Sequence, residues 1–321
     1  MKGLGMKSLG MFLVVAVVLI LAGPGYSQEK FPKSTMTFLV GFGPGGGVDL
    51  FMRGLAEYVK KEFKISAVVE NKPGGGGSLA YSLLQGEKPD GYTLGAISNS
   101  IILETFKTKG KVDYKKIEPI INLSTAPMAI TVHADSPWKT IEELLAYAKA
   151  NPAKIRLGNS GMGAIYHIFG ASVERKTGVT FTHVPFKTGP EAGTALLGKH
   201  IDAASQALSD LISSLETGKL RVLATSGGKR DPFFPDVPTF KERGIDVVIG
   251  IWRGVGAPKG TPQDRLEILE KAFLKAVQTP EWIQLMQRLK LENNYQGMAE
   301  FRKIYYRDAE FLEPLAKALE K

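Results

Sequence analysis

A chain of 321 residues has room for about two domains, and its 44% hydrophobic and 23% charged content excludes disorder, a collagen-like repeat and a polytopic membrane protein. The absence of cysteine excludes a disulfide scaffold, thiolate zinc sites, iron–sulfur clusters and a cysteine nucleophile. Two quantities then need an explanation: a formal net charge of +9 and 36 glycines.

Residues 1–27 read as a secretory signal peptide. Lys2 and Lys7 make the start positive, and Met11–Ala22 is an unbroken apolar run, well short of the ~20 residues that span a bilayer. Gly23, Pro24 and Gly25 break that run ahead of the small Ser27, after which cleavage is expected. No cysteine stands at the junction to carry a lipid. The expectation is an exported, periplasmic, monomeric protein whose charge falls from +9 to +7 with the loss of those two lysines.

Beyond that point short apolar runs alternate with amphipathic stretches. Thr37–Val40 reads as a strand and Val48–Phe63 as a helix, with Val48, Phe51, Leu55, Val59 and Phe63 on one face. Ala67–Glu70 is a second strand, a helix starts at Ser78, and Tyr92–Ser98 is a third strand. Thr140 and Glu143 form a capping box for a helix over Ile141–Lys149. Lys154–Leu157, Phe181–Pro185, Ile201–Ala204 and Arg221–Ala224 are further strands, separated by helical stretches. Three helices close the chain, over Pro262–Val277, Pro280–Leu289 and Met298–Leu319. Such alternation implies α/β architecture, with two mostly parallel sheets and helices on both faces. Ile121–Thr131, with Pro127 inside it, and Thr225–Arg230 are the candidate passages between lobes. The expected domains are therefore a discontinuous one of residues 28–125 and 226–321 and an inserted one of residues 126–225, with a ligand cleft between them.

Twelve of the 36 glycines lie in three loops, each following a strand and opening a helix. The first, Gly41-Phe42-Gly43-Pro44-Gly45-Gly46-Gly47, fits the dinucleotide fingerprint G-x-G-x-x-G literally. Three features argue against a nucleotide. Export removes the protein from its cofactor, Pro44 deletes an N–H from the loop, and Asp49 places a carboxylate in the first helical turn, where it is expected to cap the helix. What remains is a helix entrance with bare N–H groups and partial positive charge, suited to a small anion such as a carboxylate. The loop Gly158-Asn159-Ser160-Gly161-Met162-Gly163 has the same build and falls in the other lobe, so the two can grip one ligand from both sides. The third, Pro73-Gly74-Gly75-Gly76-Gly77-Ser78, speaks as much for mobility as for binding.

Catalytic motifs score poorly. Gly158-Asn159-Ser160-Gly161 approaches G-x-S-x-G, but Met162 stands where the last glycine belongs. Ser226-Gly227-Gly228-Lys229 fits S-x-x-K without its partner motifs. His133, His167, His183 and His200 are widely spaced, and only His167 is close to a candidate loop. Lysines and arginines are scattered rather than clustered, which argues against nucleic acid. No enzyme activity, metal or cofactor is expected.

The sequence resembles the periplasmic substrate-binding proteins of tripartite tricarboxylate transporters, the Bug or TctC-like family. Seven blocks carry the resemblance in order: Val40–Asp49, Val69–Gly77, Pro89–Leu94, Ser160–Gly163 with His167, His183–Lys187, Pro235–Thr239, and Trp252-Arg253-Gly254 with Ala257–Pro262. It implies a two-lobed flytrap fold that closes on a small organic carboxylate and delivers it to a membrane permease. It also implies ligand contacts from Phe42, Gly43, Gly45, Gly46 and Gly47 in one lobe and from Ser160, Gly161, Met162, Gly163 and Ala164 in the other. Ser98, Asn99 and Gln206 would line the remainder. The chain departs from the family pattern at Gln206-Ala207-Leu208-Ser209 and at Ser100-Ile101-Ile102-Leu103, and the apolar character of the latter favours an aromatic or extended apolar carboxylate over a citrate-like one. The alternatives are an exported sensor docking on a signalling partner, and a secreted hydrolase using Ser160 with His167 or His183.

Overall fold

The computed structural model describes residues 31–186 and 188–318; the expected signal peptide and its cleavage point lie outside the described residues. Strand and helix alternate from the start as β1 (Met36–Val40), α1 (Gly47–Phe63), β2 (Ala67–Asn71), α2 (Ser78–Gly86) and β3 (Thr93–Ser98), and β1 pairs in parallel with β2 and β3. Helix α1 forms where the spacing requires it: Phe51, Leu55 and Val59 share a buried face, each worth about 1.5–3 kcal/mol on burial. Phe51 lies 5.6 Å, centroid to centroid, from the ring of Trp282. The helix stops at Lys64, which turns left-handed at φ 56°.

Helix α3 (Ser100–Lys107) follows β3 directly. Next comes β4 (Ile117–His133), a single 17-residue strand where the sequence reading had only a passage between lobes. Residues Ile117–Pro127 pair antiparallel with β9 (Gly250–Pro258), and Met128–His133 pair antiparallel with β7 (Ala203–Ala207) and β8 (Leu220–Thr225). Prolines break strands because they lack the ladder N–H. Here the register shifts between Pro119 and Ile121, and Pro127 sits where β4 changes partners, so neither proline interrupts a regular ladder. The strands run in the order β2-β1-β3-β9-β4-β7-β5-β6, with β8 also on β4. The sheet is parallel at β1–β3 and among β5 (Arg156–Asn159), β6 (Thr182–Pro185) and β7, but antiparallel wherever β4 or β9 takes part. The expectation of mostly parallel sheets therefore needs correcting: it fails at the two strands that join the halves.

In the second half, α4 (Ile141–Ala150) is capped as read: Thr140 Oγ accepts the Glu143 N–H, and the Glu143 carboxylate accepts the Lys139 N–H. Helices α5 (Ile165–Thr177), α6 (Gly189–Leu197) and the short α7 (Ile212–Glu216) cover this part. Leu196, Ile201, Ala204, Leu211 and Leu220 form its inner cluster. Helices α8 (Gln263–Ala276), α9 (Pro280–Arg288) and α10 (Met298–Ala318) return to the first half, where α10 packs on β4 and α3 and meets Trp252 of β9 in a Trp252–Phe301–Tyr305 ring cluster. Ser226 ties the two crossing points together: its Oγ accepts the Met128 N–H at 2.9 Å and donates to Ile249 O at 2.5 Å. Among the described residues no helix is long and apolar enough to cross a membrane.

Candidate functional site

The loop between β1 and α1 is held by one buried carboxylate. Asp49 accepts the Gly45 N–H and Arg53 Nε through Oδ2 and Asn71 Nδ2 through Oδ1, all at 2.8 Å. Asn71 Nδ2 also donates to Phe42 O, and Arg53 donates to Asn71 Oδ1. Burial pushes the Asp49 carboxyl upward more than any other single influence, yet the bonds from Arg53, Gly45 and Asn71, with the charge of Arg53, together hold it below the usual range. The expectation that Asp49 caps α1 is thereby corrected: it reaches back past the N-cap Gly46, and the Gly45 N–H it takes is not free for a ligand. Gly46 brings no side-chain cap to α1, and among the described residues the N–H groups of Gly46 and Gly47 have no acceptor. They sit at the positive end of a 17-residue helix.

The loop between β5 and α5 is held without a charged group of its own. Buried Asn159 accepts the Gly161 N–H at 3.1 Å and bonds His183 Nδ1 through its amide nitrogen at 3.3 Å; His183 Nε2 faces Glu174 Oε2 at 3.0 Å. His167 Nδ1 accepts the Gly163 N–H at 3.1 Å, which requires Nδ1 unprotonated. Burial, then the neighbouring His183 ring 4.5 Å away, lowers the His167 pKa to about 4, against a smaller opposing pull from Glu174. The Gly161 and Gly163 N–H groups are therefore engaged within the protein. Among the described residues Ser160 and Met162 have N–H groups without acceptors, and Ala164 opens α5 with no side-chain cap. By contrast, threonines close the entrances of α4, α6 and α9.

Lys107, at the end of α3, lies against the second loop. A Cβ at Gly163 would lie 3.3 Å from Lys107 Cδ, so the lysine stem crosses the face of the second loop while its Nζ pairs with Glu104 at 2.8 Å. The third glycine run is a packing device. Gly74–Gly77 all have positive φ, and a Cβ on Gly41 would stand 2.7 Å from Gly77 Cα, so this segment lets the first loop lie close against its neighbour.

Ser98 is buried with its Oγ 3.2 Å from Tyr81 OH. Asn99 Nδ2 donates to Gly250 O, its Oδ1 is buried without a partner among the described residues, and it lines a cavity of about 560 Å³ with Pro127, Ser226 and Trp252. Gln206 is fully buried with both amide atoms unpartnered among the described residues, its Nε2 directed at the backbone of Gly193. Ile101, Ile102 and Leu103 are core residues of α3. They pack inward instead of lining a cleft, so the preference for an apolar ligand loses its basis.

Arg253 belongs to the Trp252-Arg253-Gly254 block of the sequence. It sits in β9 opposite Ser98 on one side and Ser124 on the other, and is 8% exposed. Its signal was a lone cation within the otherwise uncharged strand Gly250–Pro258. Tyr166 and Asp210 were also missed; Tyr166, in the first turn of α5, donates its hydroxyl to Asp210 Oδ2 at 2.8 Å. The serine-hydrolase arrangement does not form: His183 has both ring nitrogens engaged and His167 Nδ1 faces a backbone N–H, with no hydrogen bond to Ser160 from either among the described residues.

A mixed sheet whose parallel ends are joined by the antiparallel strands β4 and β9, with uncapped helix entrances after β1 and after β5, defines an α/β solute-binding receptor fold of the periplasmic binding-protein class. The profile described as tripartite tricarboxylate transporter family receptor matches residues 51–318. The chain is 36% identical over 294 residues to a Cupriavidus necator protein named UPF0065 protein in gbd 5'region, covering 91% of this chain and 90% of that one. It superposes on a TctC solute-binding protein from Polaromonas with a TM-score of 0.77 and 34% identity, covering 90% of this chain and 100% of that one. A structure titled periplasmic binding protein BugD gives a TM-score of 0.77 and 30% identity over 90% and 99%. The chain belongs to the tripartite tricarboxylate transporter receptor family, a family of solute-binding receptors.

Proposed function

We propose that the protein is exported, captures a small organic carboxylate between its two lobes, and presents it to the membrane permease of a tripartite transporter. In this reading the lobes are residues 28–125 with 226–321 and residues 126–225, and closure turns about β4 and the Ser226 tie. The observation that carries the reading is the paired loop geometry: two helix entrances, each fixed by buried side chains behind it, each with bare N–H groups in front. Charge-assisted bonds to such groups are worth about 1.5–3 kcal/mol apiece, and the two helix ends add about 0.3–1 kcal/mol each. Gly46, Gly47, Ser160 and Met162 supply the donors; Gly45, Gly161 and Gly163 hold the loops in shape.

Isothermal titration of the purified mature chain against a panel of mono-, di- and tricarboxylates tests this. At least one carboxylate is expected to bind with 1:1 stoichiometry, and Ser160→Trp, which fills the space before the second loop, to abolish it. Failure of the whole panel, or normal binding by Ser160→Trp, contradicts the proposal. Mass spectrometry of the protein recovered from a periplasmic extract checks export, with a mature N-terminus after Ser27 expected.

A further inference from the structure

The cavity that Asn99 lines lies on the reverse of the crossing strands. Ser124 and Arg253 are partners in the ladder between β4 and β9, and Thr125 and Trp252 are the next pair along it. Successive side chains of a strand leave on opposite faces, so Thr125 and Trp252 point away from the side on which Arg253 meets Ser209. Thr125 and Trp252 both line the cavity, whose volume of about 560 Å³ is in the range of small-molecule sites. Its other walls are Pro127 and Ile249 beside the strands, the segment 226–232, and Ile304, Phe311 and Leu312 of α10.

Three features of the lining define what it can hold. Val248 and Phe311 are 52% and 47% exposed, two large apolar side chains left in water at one opening. The charged groups around it are already paired: Lys229 with Glu292 at 3.0 Å, Arg230 with Glu242 at 2.9 Å and Arg307 with Asp308 at 2.8 Å. Asp231 accepts the Phe233 N–H, and burial pushes its carboxyl upward, toward the uncharged form. A charged ligand would therefore meet no counter-ion. Finally, Asn99 is fully buried and keeps Oδ1 without a partner among the described residues, and a buried acceptor left so is costly.

We propose that this cavity binds a small uncharged molecule with an apolar body and one N–H or O–H donor, the donor meeting Asn99 Oδ1, and that its occupancy is coupled to carboxylate binding in the cleft. The coupling follows from position. The bound molecule touches Pro127, where β4 changes partners, and Ser226, whose hydroxyl joins the two crossing points. The site stands on its own geometry, whereas the coupling rests on the carboxylate-receptor reading above.

Fluorine spectra of three probes titrated into the mature chain, wild type and cleft-blocked Ser160→Trp, test the site. The probes are 4-fluorophenol, uncharged at pH 7 with one O–H; fluorobenzene, which has no donor; and 4-fluorobenzoate, an anion. In Ser160→Trp, 4-fluorophenol is expected to bind saturably at one site and to shift the Trp252 indole N–H signal. Fluorobenzene should bind about fivefold more weakly, for the lost hydrogen bond, and 4-fluorobenzoate at least about tenfold more weakly. Gly228→Phe, whose side chain has open space beside Val248, should block the opening and abolish binding. Val248→Asn, a change at an exposed position, should weaken it about threefold. In the wild type, saturating 4-fluorophenol should change the Kd of the best-binding carboxylate at least about threefold, and the carboxylate should change that of 4-fluorophenol by the same factor. Absence of saturable binding, binding that both Gly228→Phe and Val248→Asn leave intact, or tighter binding of the anion to Ser160→Trp would overturn the site. A carboxylate affinity unmoved by bound 4-fluorophenol would overturn the coupling. Failure of every carboxylate would remove the receptor reading and the coupling together, while the Ser160→Trp titrations still decide the site.

Discussion

The two glycine loops are alike in front and different behind. Each presents bare N–H groups at a helix entrance. The loop of the first lobe is anchored by an ionised carboxylate with an arginine partner, Asp49 with Arg53 and Asn71. The loop of the second lobe is anchored by an amide and an imidazole, Asn159 and His167, with His183 and Glu174 one step further away. The same task, keeping a flexible segment in one shape, is done once with charge and once with neutral polar groups. The two lobes should therefore respond differently to truncation and to acid.

The largest effect is expected from Asp49→Ala. It removes the acceptor shared by the Asn71 amide and the Gly45 N–H and leaves Arg53 without its carboxylate partner, and should lower stability by about 3–4 kcal/mol in urea unfolding. Asp49→Asn, which keeps an acceptor, should lose clearly less. Acid comes next. His167 has a pKa lowered from 6.5 to about 4, so the unfolded chain takes up the proton first. Its contribution is complete above about pH 6.5 and is lost as the pH falls toward 4, an effect on the order of 3 kcal/mol. Asp49 is lowered from 3.8, so its contribution persists down to pH 3.8 and is lost only as the pH falls through its own, lower value. Thermal unfolding from pH 7 to pH 3 should show the second-lobe step first, and His167→Leu should flatten it. A midpoint unchanged between pH 6.5 and 4 would mean the two anchors are not distinguished by protonation.

Asn159→Ala should cost about 2 kcal/mol, because it strands the part-buried Gly161 N–H and an imidazole nitrogen together, and it should weaken carboxylate binding more than its stability cost predicts. The smallest effect is expected at a helix with no part in the cleft. Thr140→Ala removes the cap of α4 and should cost about 1 kcal/mol with no change in ligand affinity. A fall in affinity with Thr140→Ala would show that stability alone governs binding and erase the distinction between the loops and the rest of the fold.

Much of this was legible in the residues. The face of α1, the cap of α4 and the concentration of glycine at three helix entrances follow from spacing and from the few side chains that suit each place. What was not legible depends on partners distant in sequence. Nothing local indicates that Pro119 and Pro127 lie within one long strand, because that strand is set by β9, more than a hundred residues later. The apolar Ile101-Ile102-Leu103 run reads equally well as cleft lining or as core, and the packing of α10 and of neighbouring elements on α3 makes it core. Which glycine N–H groups stay free was likewise invisible, since Asp49, Asn159 and His167 each choose one. Arg253 stands between Ser98 and Ser124 because the register of β3, β9 and β4 sets it there, and a register is a property of the sheet.

Binding turns on which backbone groups meet the ligand. Amide ¹⁵N–¹H spectra recorded while the best-binding carboxylate is titrated into the mature chain test this most directly. Gly46, Gly47, Ser160 and Met162 are predicted to show the largest downfield shifts and the greatest slowing of hydrogen exchange, with Gly45 and Gly163, already bonded to Asp49 and His167, nearly unmoved. Binding that leaves all four of those amides unchanged would contradict it.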